Sequence, residues 1–230
     1  MKVIKSTKFF VLLIALSAVS IYAHADNIDE DGRIWLNINM KTALPLKGLN
    51  AYLEIQPRWR EEGSEYDQTI IRPAIFYDVS PKSSVWLGYA RVISHSSTKP
   101  NTHENRLFQQ FSYSFDPVGD WKIASRTRLE ERTIEGKADV GYRLRQMIKL
   151  TKPLPLENTS IILSDELFLN TNSTDWGATS GFDQNRAFIG LGYKLNKHNA
   201  FEIGYLNQFI NTRKVDRENH VLSTTWAINF

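Results

Sequence analysis

Apolar and polar positions alternate along this chain with a period of two, in segments of about ten residues that recur from residue 33 to the carboxy terminus. The segment His220–Phe230 shows it most plainly. Counting back from Phe230, Ile228, Trp226 and Leu222 are bulky, Thr224 is the one weak step, and Asn229, Ala227, Thr225 and Ser223 between them are small or polar. Such a strand has one face suited to lipid and one suited to a polar interior. The same alternation predicts strands over 33–43, 49–60, 67–79, 83–93, 105–115, 121–133, 140–151, 159–169, 184–194, 200–210 and 219–230. Helical periodicity is absent, and after residue 25 no apolar run approaches the roughly 20 residues that a helical span requires.

The breaks between strands fall into two groups. Short ones at 80–84, 116–120, 152–158 and 195–199 alternate with longer polar ones at 61–66, 94–104, 134–139, 170–183 and 211–218. Tight turns to the periplasm and longer loops outside form the pattern of outer-membrane barrels. The expected fold is therefore all-β, an antiparallel transmembrane outer-membrane β-barrel. Parity complicates the count, because the segments number eleven while single-chain bacterial barrels use even numbers. About 12 strands are expected, with 10 as the alternative; residues 26–32 threading the lumen would also relieve the conflict.

In five of these segments charge sorts mainly onto one face. In 121–133, Lys122, Arg126, Arg128, Glu130 and Arg132 oppose Trp121, Ile123 and Leu129; in 140–151, Arg143, Arg145 and Lys149 oppose Tyr142, Leu144, Ile148 and Leu150. Glu54, Gln56, Arg58 and Arg60 oppose Leu53, Ile55 and Trp59, and Arg186, Glu202 and Gln208 oppose Ile189, Leu191, Ile203, Tyr205 and Phe209. An Arg or Lys on a barrel's lipid face costs roughly 2–4 kcal/mol at the midplane. These charges are expected to line the lumen, together with Arg106 and Glu166. Tryptophans 35, 59, 86, 121, 176 and 226, with Tyr77, Tyr113, Tyr142 and Tyr193, are read as interfacial girdles.

The amino-terminal end changes the charge balance. Lys2, Lys5 and Lys8 precede an apolar stretch from Phe9 to Ala23, and Ala23-His24-Ala25 has the small-x-small cleavage pattern, so residues 1–25 read as a secretory signal peptide. The remaining 26–230 reads as one domain. The full chain holds 28 Lys+Arg against 25 Asp+Glu, and the segment 1–25 contributes three lysines and no acid, leaving 25 against 25. The basic balance thus belongs to the leader and gives no support for nucleic-acid binding. With no cysteine, disulfides and thiolate chemistry are excluded.

Candidate chemistry is sparse, and no cofactor or metal is expected. His95-Ser96-Ser97 has the bare spacing of an outer-membrane lipase, with Ser97 as nucleophile, His95 as base and Asn101 or Glu104 as orienter, but it lies in a Ser/Thr/Asn-rich loop. Asp216 and His220 could be drafted as a protease pair, with nothing to single them out. The other histidines show no ligand spacing, and the loop 170–183, with Asp175 and Trp176, fits no calcium loop and reads as solvated.

One ordered set of short motifs carries a resemblance. Pro45-Leu46-Lys47-Gly48, Gln56-Pro57-Arg58, Arg72-Pro73, Gly88-Tyr89, Glu104-Asn105-Arg106-Leu107 and Gln109-Gln110 are followed by Arg126-x-Arg128-x-Glu130-x-Arg132. Arg143-x-Arg145, Asp165-Glu166, Asn170, Gln184-Asn185-Arg186 and Gly204-Tyr205-x-Asn207-Gln208 complete it. Over about 33–230 the chain resembles the outer-membrane proteins of domain of unknown function 2490. The resemblance implies a secreted barrel of the outer membrane of Gram-negative bacteria and no activity. The final strand, with Trp226, Ile228 and Phe230, likewise resembles the signal read by the barrel-assembly machinery. Two roles are open for the charged lumen: a largely closed, structural interior, or a narrow, weakly anion-selective pore. A catalytic role is not expected.

Overall fold

The computed structural model describes residues 28–230; the signal peptide expected over 1–25 lies outside the described residues. Each alternating segment forms a strand: β1 (Ile28–Ala43), β2 (Leu49–Arg60), β3 (Glu65–Ser80), β4 (Ser83–Ser94), β5 (Thr102–Ser114), β6 (Lys122–Ile134), β7 (Gly141–Pro153), β8 (Thr159–Asn170), β9 (Gly181–Lys194), β10 (Asn199–Ile210) and β11 (Asp216–Asn229). Neighbours in sequence pair antiparallel, and the sheet closes on itself where β1 meets β11. That seam is parallel, in register from Ile28 opposite Asp216 to Lys41 opposite Asn229.

The barrel thus has eleven strands, between the ten and twelve expected. The parity argument assumed antiparallel pairing throughout. With an odd number of up-and-down strands the first and last run the same way, so only a parallel seam can close the sheet. Residues 28–32 do not thread the lumen: they extend β1 against Asp216–His220.

Ile28 and the connections 61–64, 95–101, 135–140, 171–180 and 211–215 share one end, here the upper mouth. Phe230 and the connections 44–48, 81–82, 115–121, 154–158 and 195–198 share the lower mouth. Sorting by length is weaker than expected, since 115–121 below is longer than 61–64 above.

Alternation places two different surfaces on the sheet. Outward, Ile71, Ile75, Leu87, Leu107, Leu129, Ile189, Leu191, Ile203 and Leu222 are all exposed. Inward, β3 to β5 contribute an apolar wall of Ile70, Ala74, Phe76, Ala90, Val92 and Phe108. Gly88 makes that wall possible, because a Cβ there would collide with the Phe108 ring and the Ala74 methyl. Opposite this wall the interior is ionic.

Candidate functional site: the charged interior

Strands β6 to β8 present their charges inward at matched heights: Arg128 lies opposite Arg145, Glu130 opposite Arg143, and Met147 opposite Glu166. The carboxylates take several donors each. Glu130, only 1 % exposed, accepts from Arg143 at 2.6 and 3.0 Å and from Arg145 at 2.6 Å. Glu166 accepts from Arg126 at 2.6 Å and from Arg145 at 2.9 Å. Arg143 reaches on to Asp183 on β9 at 2.8 Å. Glu104 is held by Arg106 at 2.7 Å and Arg132 at 2.6 Å, and Glu54 by Arg72 and the Tyr52 hydroxyl. Arg128 donates twice to Gln110 Oε1, at 2.9 and 2.6 Å, and stacks on Phe108. Multiple charge-assisted bonds compensate the loss of hydration that burying these ions requires.

This lattice and the apolar wall form one buried layer. Every strand contributes to it at least one side chain below 9 % exposed, from Trp35 on β1 through Ile70, Ala90, Phe108, Glu130, Arg143 and Phe168 to Val221 on β11. Above the layer lies a cavity of about 680 Å³ beneath the loops, lined by Arg132, Trp176, Asp183 and Arg213 among others. Below it lie a cavity of about 250 Å³ that includes Trp35, Arg58 and Arg186 and one of about 420 Å³ that reaches Ala227 and Asn229. The two lower cavities share Tyr52, Arg126, Lys149 and Glu202, so they form one chamber facing the lower mouth. Neither shares a lining residue with the upper cavity.

Of the residues expected to line the lumen, Glu54, Arg58, Arg106, Arg126, Arg128, Glu130, Arg132, Arg143, Arg145, Glu166 and Arg186 belong to this interior. Glu202 also points inward but below the layer, paired with Lys149 at 2.6 Å. Arg60 stands apart near the upper rim with Glu65. Sequence reasoning passed over Tyr52, Gln110, Asp183 and the lattice role of Arg72 and Glu104. The alternation of β2 and β5 marked Tyr52 and Gln110, since each shares parity with an inward charge.

Three aromatic assignments change. Trp35 is 3 % exposed and faces the lumen, where Arg58 stacks on its indole at 3.8 Å and Arg186 at 4.9 Å. Trp86 stacks inside on Phe76 at 4.0 Å. Trp176, in the supposedly solvated loop, lies against Gly141, where a Cβ would sit 2.5 Å from its ring, and under the Arg132 guanidinium at 4.9 Å. That loop is tied to 135–140: the Asp175 amide donates to Asp139 at 2.6 Å and the Trp176 indole to the Asp139 carbonyl at 3.0 Å. Tyr77, Tyr142, Tyr193 and Trp226 do face outward.

The drafted catalytic sets do not assemble. Glu104 is bound to Arg106 and Arg132 inside the barrel, while the His95 ring packs on Tyr66 at 4.8 Å. Asp216 accepts the Thr212 amide, and His220 pairs with the Tyr205 hydroxyl.

These features define the class: a closed, all-β barrel of eleven strands with an apolar outer surface and an Arg/Glu interior. The chain belongs to the family of proteins of unknown function DUF2490, whose family profile matches residues 32–219. It is also 35% identical over 231 residues to an uncharacterised protein of Methylorubrum extorquens, an alignment covering 99% of this chain and 100% of the relative.

Proposed function

We propose that this protein is an outer-membrane β-barrel whose lumen is closed by the Arg/Glu layer, with a structural or surface role rather than that of an open pore. The observation carrying the membrane reading is the outer surface, where large apolar side chains stand exposed on strand after strand while the Arg/Glu lattice sits inside. A water-soluble protein rarely exposes more than a few hundred Å² of contiguous apolar surface; lipid is the partner that such a belt fits. Tyr66 and Tyr77 bracket it on β3. Their separation is roughly 36 Å of strand, or about 26–30 Å of height at a typical barrel tilt, near the apolar thickness of about 25 Å that such barrels present.

Several polar side chains interrupt the belt, and some of them pair with one another. On β6 and β7, Thr127 donates to Gln146 at 2.6 Å and Gln146 to Ser125 at 2.8 Å. On β8 and β9, Asn185 donates to Asp165 at 3.1 Å. Internal pairing lowers the cost of such groups in lipid.

The terminal strand fits recognition by the barrel-assembly machinery: Leu222, Trp226 and Phe230 are exposed on its outer side, and the Phe230 amide donates to the Lys41 carbonyl at 2.9 Å. In this reading the lower mouth faces the periplasm. Cell fractionation tests the proposal. The protein should be recovered with outer membranes and run faster in gels before boiling than after; recovery in the soluble periplasmic fraction would contradict it.

A further inference from the structure

The lower chamber carries an imbalance that the lattice does not explain. Six cationic side chains line its inner part against three carboxylates. Four of the cations are answered: Arg72 by Glu54, Arg126 and Arg145 by Glu166, and Lys149 by Glu202. Arg58 and Arg186 are not, and no carboxylate of the described residues lies within ion-pair distance of either. Arg58, 7 % exposed, has only the neutral amides of Gln56 at 2.7 Å and Gln68 at 3.1 Å. Arg186 has one long bond, to Gln184 at 3.4 Å. Both guanidinium groups flank the Trp35 indole. The Nε of Arg58, the Nε of Arg186 and the Nε1 of Trp35 are all buried donors with no acceptor among the described residues.

Two like charges drawn together on one buried indole are unfavourable by themselves, and unmet donors add to the cost. Cation–π contact offsets only part of it. A small oxyanion would resolve both defects, supplying negative charge and several acceptor oxygens to planar, fork-shaped donors that suit carboxylate and phosphate. The cavity volume of about 250 Å³ is ample for such an ion. It opens downward through the shared chamber, so the ion has a route from the lower mouth.

We propose that the lower chamber is a blind binding site for a small oxyanion, a carboxylate or phosphate, held between Arg58 and Arg186 beside Trp35. The inference rests on the barrel interior and stands whether or not the membrane reading holds.

The test is titration of the folded, full-length protein in micelles with inorganic phosphate and with succinate, at constant ionic strength set by chloride. The side-chain ¹⁵Nε signals of arginine and the unfolding temperature are followed together. Saturable shifts of two arginine signals, with a rise in unfolding temperature that chloride does not reproduce, are expected. Whichever anion gives the tighter site identifies the class. Arg186→Gln should weaken binding by about tenfold or more, as loss of a charge-assisted contact does; Arg186→Lys, which keeps the charge and loses the fork, should weaken it less. Arg217→Gln, exposed at the upper mouth, should bind as the unaltered protein does. Responses that do not saturate, that chloride matches, or that survive intact in Arg186→Gln overturn the proposal. If that variant fails to fold, the arginine signals of the unaltered protein decide: no shift with either anion overturns it.

Discussion

Arg145 on β7 grips one oxygen of Glu166 on β8 with two nitrogens, Nε at 2.9 Å and Nη2 at 2.8 Å. Its remaining nitrogen, Nη1, reaches Glu130 on β6 at 2.6 Å. One guanidinium therefore joins carboxylates on both neighbouring strands, and its face lies over Phe168 at 4.3 Å. A bridged ion network of this kind gains little over apolar packing as a whole, but losing one member leaves its partners buried and uncompensated.

Glu130→Ala follows from that asymmetry. It removes the carboxylate that Arg143 and Arg145 share, leaving Arg143 with Asp183 and Arg145 with Glu166, and should cost about 3 kcal/mol. Urea unfolding in micelles reads the loss; a midpoint equal to that of the unaltered protein would mean that the lattice contributes no stability.

Ile189→Arg separates a membrane barrel from a soluble one. Ile189 lies mid-strand on β9 with its side chain 51% exposed on the outer face. In a bilayer the arginine should cost roughly 2–4 kcal/mol, whereas on a water-facing sheet it should be nearly neutral. Refolding yields in liposomes give the answer.

The parallel seam makes a topological prediction. Ile28 shares its mouth with 95–101, and Phe230 lies at the opposite mouth. With the lower mouth in the periplasm, short epitopes placed before Ile28 and within 95–101 should both be reached by antibody on intact cells. One in 154–158 should be reached only after permeabilisation. Labelling of 154–158 on intact cells, without 95–101, would invert the barrel.

Gly141→Leu should free the 171–180 loop. The added side chain occupies the space of the Trp176 ring, so limited proteolysis should cut within the loop faster than in the unaltered protein, with the strands still protected. Equal cleavage rates would show that Trp176 does not hold the loop down.

The strands were legible because a half-polar, half-apolar sheet writes its two faces into every second residue, and the β6 and β7 charges followed directly. The seam was not, because pairing between residues 28–41 and 216–229 leaves no local mark on either segment. Trp35 looked like a girdle residue from its position near a strand start. Its parity with Arg33, Asn37 and Asn39 is what turns it inward. The 171–180 loop looked solvated from its polar composition; its Asn and Asp side chains instead bind the backbone of 135–140, as the Asn172 amide does to the Val140 carbonyl at 2.8 Å. Charge balance over the whole chain concealed the local excess at Arg58 and Arg186, which only the three-dimensional pairing reveals.

The most direct test of the closed-barrel account is electrical. Folded protein that floats with liposomes should be incorporated into a planar bilayer under a salt gradient. The buried layer spanning all eleven strands predicts a silent membrane for the unaltered protein and conductance steps only after the layer is opened by Arg145→Ala together with Phe168→Ala. Stable, ohmic steps from the unaltered protein would contradict the account and make the interior an open pore.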